Sequence, residues 1–171
     1  MTDAPIDETL PEVVKNFLRA GATLETIRLD AGGKWTHEGL DFENPRIIDL
    51  FSRSVNRTPG GTWVLEIGQF TYPIEVEDTG FFVERVEGVG RAAHRITVEL
   101  SDLTSEPLDV TTLAYREPGR LYCDVKDGRF RARFKRAAYY DIAQQIAPCD
   151  EGFALVLGGE LHSIELLPHS H

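Results

Sequence analysis

Apolar residues in this chain recur with two periods. Val13, Val14, Phe17 and Leu18 fall at helical spacing. They follow Thr9-Leu10-Pro11-Glu12, which has capping-box spacing with proline in the first turn, and Gly21 is a natural stop. This predicts a helix over about residues 11–20, packed on the first half of the protein. Ile47, Ile48, Phe51 and Val55 mark the buried face of a second helix. It opens at Asn44-Pro45 and ends near Arg57, before Thr58-Pro59-Gly60-Gly61. Ala138, Tyr139, Ile142 and Ile146 mark a third, over residues 137–146, stopped by Pro148.

Elsewhere the period is two, which predicts strands. Residues 26–30 and 34–38 form a hairpin about Ala31-Gly32-Gly33, and residues 62–67 and 72–76 form a strand pair. Residues 81–87, 95–100, 108–110 and 114–117 are further strands. Over residues 120–126, Leu121, Cys123 and Val125 share one face. Asp127-Gly128 is a strong hairpin signal. Residues 129–135 return with Phe130, Ala132 and Phe134 inward.

The pattern repeats. WVLEIGQFTYPIEV, residues 63–76, aligns without a gap on FALVLGGELHSIEL, residues 153–166. Leu65 falls on Leu155, Gly68 on Gly158, Ile74 on Ile164 and Glu75 on Glu165. Each half reads hairpin, helix, two strands, with Gly33-Lys34-Trp35 set against Gly128-Arg129-Phe130. Self-similarity of this kind defines the architecture. The expected fold is α+β in two related halves, residues 1–88 and 89–171, each a hairpin, a helix and further antiparallel strands, joined near Gly88-Val89-Gly90.

Composition narrows the class. With 171 residues, no apolar run approaches the roughly 18–20 residues of a membrane helix. The start, MTDAPIDETLPE, lacks the basic and apolar segments of a signal peptide. Two cysteines imply no disulfide framework, so a cytoplasmic protein is expected. A net charge of −10 argues against binding a nucleic-acid polymer. The cations are nevertheless clustered, with Arg129, Arg131, Arg133, Lys135 and Arg136 within eight positions.

On a strand, Arg129, Arg131, Arg133 and Lys135 point one way. They form either a solvated strand face or a grip for phosphate or carboxylate groups. In the alignment Glu38 falls opposite Arg133, so it reads as an ion-pair partner or an orienting ligand contact. His37-Glu38 invites an acid–base reading, but His37 shares a face with Trp35 and is expected to be buried. Tyr139 belongs to the core stripe; Tyr140 is free to cover an aromatic part of a ligand. Cys123 reads as inert. His162, His169 and His171 are too scattered for a metal site. No phosphate loop, dinucleotide fingerprint or serine-nucleophile motif is present. No catalytic residue, metal or cofactor is expected.

WTHEG, the helix containing LF, the strand IEVED and the segment LYCDVKDGRFRARFKRAAYYDIAQQ together resemble the bacterial family called domain of unknown function 1285. The likeness covers about residues 27–146. It implies an α+β fold with a duplicated core and a C-terminal half superficially like a pleckstrin-homology domain. It also implies a ligand site between the halves, for a nucleotide-like molecule, with a role in signalling. The chain departs from the family pattern after WTHEG, where it reads LDFENPR, and at GQFTYP. The expected function is a sensing or regulatory module. It would hold a small anionic ligand between its halves through Glu38, Arg131, Arg133 and Tyr140. The alternative is a protein-interaction or scaffold module with no small-molecule site; an enzyme ranks third.

Overall fold

A computed structural model of the chain describes residues 5–21, 24–90 and 92–169. The chain divides into two units, Met1–Gly80 and Phe81–His171.

In the first unit, α1 (Glu12–Arg19) is led in by Leu10, which is buried. The expected apolar stripe is not the buried side: Val13 is 80% and Phe17 48% exposed. Lys15 is buried instead, with its ammonium 2.7 Å from Glu12 and 3.5 Å from Glu8. β1 (Ile27–Leu29), β2 (Trp35–His37) and β3 (Leu40–Asp41) form an antiparallel run. α2 (Pro45–Ser54) begins where the Asn44 side chain accepts the Arg46 amide hydrogen. It ends three residues before the expected stop and passes directly into β4 (Val55–Arg57). β5 (Trp63–Ile67) and β6 (Phe70–Pro73) complete a three-stranded sheet, and β7 (Glu75–Val76) pairs parallel with β1. The core is Leu29, Trp35, Val64, Leu65 and Ile74.

In the second unit, β8 (Phe81–Glu87), β9 (Thr97–Leu100) and β10 (Ser105–Pro107) precede a single 3₁₀ turn at Val110–Thr112. β11 (Ala114–Arg116), β12 (Arg120–Val125) and β13 (Phe130–Phe134) follow, then α3 (Arg136–Ala143). β14 (Ile146–Cys149), β15 (Gly152–Leu157), β16 (Glu160–Ser163) and β17 (Glu165–Leu166) end the chain. Seven strands form one sheet in the order β10-β9-β8-β13-β12-β11-β17; β14, β15 and β16 form another. Cys123, Ala132, Phe134, Ala138, Ile142 and Leu155 are core residues.

The fold is α+β, with three corrections to the expectation. The boundary falls at residue 80, not 88, because β8 pairs with β9 and β13 of the second unit. The pairing is mixed: β1–β7, β11–β17 and β8–β13 are parallel.

The third correction concerns which hairpins correspond. The register Leu29↔Trp35 in β1–β2 has its like in Tyr115↔Leu121 of β11–β12. Thr36↔Asp41 in β2–β3 has its like in Tyr122↔Arg133 of β12–β13. Val55↔Leu65 and Leu65↔Tyr72 have theirs in Ile146↔Leu155 and Leu155↔His162. The parallel pairs agree, Leu29↔Val76 with Tyr115↔Leu166. One pairing scheme therefore runs through both units. In it Trp35 corresponds to Leu121, not Phe130, and Asp41, not Glu38, corresponds to Arg133.

Among the described residues, no helix is long and apolar enough to cross a membrane.

Candidate functional site

The alternation of β12 and β13 sorts their side chains between two faces. Leu121, Cys123, Val125, Ala132 and Phe134 are buried on one. Arg120, Tyr122, Asp124, Arg131 and Arg133 lie on the other, with Tyr122 opposite Arg133 and Asp124 opposite Arg131. On β11, Arg116 is opposite Arg120 and so joins this second face.

Tyr122 is the centre of the group. It is fully buried, with the Arg116 guanidinium 5.5 Å and the Arg131 guanidinium 5.8 Å from its ring centroid. Both distances are in the range of cation–π attraction. Arg116 also donates to the Tyr122 hydroxyl at 3.4 Å and to the Pro168 carbonyl at 3.1 Å. The Arg131 Nε is 3.7 Å from an Asp124 carboxylate oxygen, with 43% of the Arg131 side chain exposed. That geometry is a loose ion pair, beyond hydrogen-bond length. Four arginines thus share the sheet face of one tyrosine, two of them over its ring, with Asp124 opposite Arg131. Opposite and diagonal positions on a sheet lie roughly 5–8 Å apart, so all four belong to one patch.

The other cations of the stretch go elsewhere. Arg129 donates to the Lys126 carbonyl at 3.3 Å and lies over Phe130. Lys135 meets Glu84 at 2.9 Å. Lys126 meets Asp102 at 2.6 Å. Burial pushes the Asp102 carboxyl upward, but Lys126, the Thr104 hydroxyl and the Thr104 amide outweigh it and hold the group below its ordinary value.

The remaining expected site residues are placed as follows. Tyr140 is on α3, 55% exposed, with its hydroxyl 3.3 Å from Arg136 Nε. Its helix neighbours Tyr139 and Ala143 line one cavity with Leu121, so α3 covers the face opposite the arginines, and Tyr140 is not part of their patch. Glu38 sits in the turn between β2 and β3 with φ 49°, its carboxylate accepting the Thr26 amide hydrogen at 2.5 Å. Left-handed backbone at a turn explains why Gly39 follows it.

His37 is not buried: its side chain is 39% exposed and its Nε2 lies 2.7 Å from Glu25. Cys123 is fully buried, and burial pushes its thiol far up, as an inert cysteine requires. His162 is 4.0 Å from Glu160 and His169 is 3.9 Å from Glu117; His171 lies outside the described residues. Among the described residues, no group of three or more His, Cys, Asp or Glu is placed to hold a metal ion.

Arg116, Arg120 and Tyr122 are the residues that sequence reasoning missed. The signal was available. If Leu121, Cys123 and Val125 face inward, Arg120 and Tyr122 must face the way of Arg131 and Arg133 once the hairpin closes.

No protein-family model matches the sequence, and a search of curated proteins returns no match. Solved structures do match. A crystal structure of a DUF1285 family protein from Silicibacter pomeroyi DSS-3 aligns with a TM-score of 0.64 at 21% identity, covering 82% of this chain and 80% of that one. Another, from Shewanella baltica OS155, aligns with a TM-score of 0.53 at 19% identity, covering 71% of this chain and 92% of that one. The chain therefore has a DUF1285-like fold; at these identities the likeness is one of fold.

Proposed function

We propose that the protein is a non-catalytic, ligand-responsive module that takes a small anionic molecule on the arginine face of its second unit. The observation that carries this is the gathering of Arg116, Arg120, Arg131 and Arg133 on the sheet face that bears the buried Tyr122. Guanidinium groups bind carboxylate and phosphate oxygens in a bidentate fork. In a chain of net charge −10, such a patch stands out against its surroundings. Arg131 is the gripping residue, because Asp124 holds it loosely at 3.7 Å and its side chain is 43% exposed. Arg116 acts as a fixed wall, tied to the Tyr122 hydroxyl and the Pro168 carbonyl.

The test is a thermal-shift screen of the whole chain against nucleotides, inorganic pyrophosphate and dicarboxylates. A ligand at 100 times its Kd stabilises the native state by about 2.7 kcal/mol. At least one anion should raise Tm, and Arg131→Ala should remove the shift while leaving the unliganded Tm within a degree or two. No shift with any anion, or a shift that survives Arg131→Ala, overturns the proposal.

A second reading, an interaction module without a small-molecule site, draws on Phe70 and Leu161. These large apolar side chains on β6 and β16 are 79% and 65% exposed. It predicts a concentration-dependent association that Phe70→Ser weakens and that no anion affects.

A further inference from the structure

The second unit also holds a cavity of about 160 Å³ on the face of the large sheet opposite the arginines. Tyr115, Leu121, Tyr139, Ala143, Phe153 and Ile164 are among the residues that line it. The Tyr115 and Tyr139 side chains are close enough to interact, and the Tyr115 hydroxyl accepts the Gly119 amide hydrogen at 3.1 Å. The wall is otherwise hydrocarbon. Burial first, and then the neighbouring Tyr115, push the Tyr139 hydroxyl upward, and no acidic or basic side chain is among the residues that line the cavity.

The shared pairing scheme shows what occupies this place in the first unit. Strand register sets Leu121 against Trp35 and Tyr115 against Leu29. The amide of Ile74 bonds the Trp63 carbonyl at 3.0 Å, as that of Ile164 bonds the Phe153 carbonyl at 3.0 Å. The helices align from their caps, Asn44 and Lys135, which places Ser52 at Ala143. In the first unit the Trp35 indole fills the space beneath α2. It is 3% exposed, and its Nε1 donates to Ser52 Oγ at 3.2 Å. In the second unit both members of that pair are absent. Leucine stands in place of the tryptophan and alanine in place of the serine, and both line the cavity.

We infer that this cavity is a binding site for a neutral aromatic molecule of benzene-to-indole size, seated where the first unit places the Trp35 ring. Its volume matches that of apolar cavities of about 150 Å³ that take up benzene. Its walls supply ring edges from Tyr115, Tyr139 and Phe153, which suit edge-to-face packing. The Tyr115 and Tyr139 hydroxyls supply polar contact, suited to a ring N–H or hydroxyl. A charged ligand is excluded, since no compensating charge lines the wall. The inference is independent of the arginine face, which lies across the sheet and recognises the opposite chemistry.

The test is an NMR titration of the whole chain with indole, and with hexanol as an aliphatic comparison. Indole should produce saturable shifts in the ring signals of Tyr115, Tyr139 and Phe153. Leu121→Trp, which supplies the ring from the chain itself, should raise Tm and abolish those shifts. If that variant does not fold, Ala143→Leu fills the same space from the helix and should abolish them equally. The inference is overturned by an absence of saturable shifts up to the solubility limit of indole, or by shifts that fall elsewhere. Shifts that persist in the filled variants, or tighter binding of hexanol than of indole, overturn it as well.

Discussion

Trp35→Ala tests the packing of the first unit most severely. The indole is 3% exposed, lies edge-on to Phe51 at 5.5 Å and donates to Ser52 Oγ at 3.2 Å. Deleting a buried Trp ring and leaving the cavity costs about 3–5 kcal/mol. Part of that is the hydrogen bond, which a double-mutant cycle isolates. Trp35→Phe removes the donor and keeps most of the ring; Ser52→Ala removes the acceptor. The coupling between them should be about 0.5–1.5 kcal/mol, the net contribution of a neutral hydrogen bond. Both tryptophans of the chain, Trp35 and Trp63, are in the first unit, so fluorescence-monitored urea unfolding reports on that unit alone. Trp63 remains as the reporter in every variant. A loss of less than about 1 kcal/mol for Trp35→Ala would refute the reasoning, because it would place the indole outside the cooperative core. A coupling of zero would refute the role of Ser52.

Three further outcomes are expected. The Asp7 carboxylate accepts from the hydroxyls of Thr58, Thr9 and Thr62 and from the Thr9 amide, in that order of effect, which holds it far below the ordinary carboxylate range. Its stabilising effect is therefore complete above the unfolded-state value of about 4 and lost as pH falls through the lower folded value; Asp7→Ala should flatten the acid limb of a Tm-against-pH curve. A side chain at Gly60 would run into the same carboxylate, so Gly60→Ala should destabilise, and its effect should not add to that of Asp7→Ala. Of the two cysteines, exposed Cys149 should react with an aromatic disulfide reagent in the native protein and buried Cys123 only in denaturant; two reactive thiols in the native state would contradict the burial.

The parts of this fold that could be read from sequence are those where local chemistry and tertiary pairing agree. Asp127-Gly128 marked the β12–β13 hairpin, and Lys126, Asp127 and Gly128 do adopt positive φ there. The alternation about it placed Cys123 and Ala132 in the core and Arg131 and Arg133 opposite. The short strands were not legible. Leu40–Asp41 reads as loop because two residues carry no period. Val55–Arg57 continues directly from its helix and was absorbed into it, and Ile146, the first residue of β14, was counted on the face of the third helix. Pro148 read as a helix stop, yet it lies on β14, an edge strand, where a missing N–H is tolerated.

The correspondence of hairpins went wrong for a related reason. The turn at Glu38-Gly39 is the counterpart of Asp127-Gly128, but the more obvious Gly32-Gly33 was matched instead. That one slip set Glu38 against Arg133. His37 was expected in the core because it shares a strand face with Trp35, whereas it pairs with Glu25 at the surface. It also hid the substitution of Leu121 for a tryptophan, which is visible only once strand register is known.

The central claim, that the arginine face of the second unit receives an anion, is tested most directly by following arginine side-chain Nε–H signals during a titration with inorganic pyrophosphate. The account predicts saturable shifts for Arg131 and Arg133, with little change for Arg53 and Arg57 of the first unit as controls for general charge screening. It further predicts that Arg131→Ala abolishes saturation at Arg133. Linear, unsaturated drift of all four signals together would contradict it.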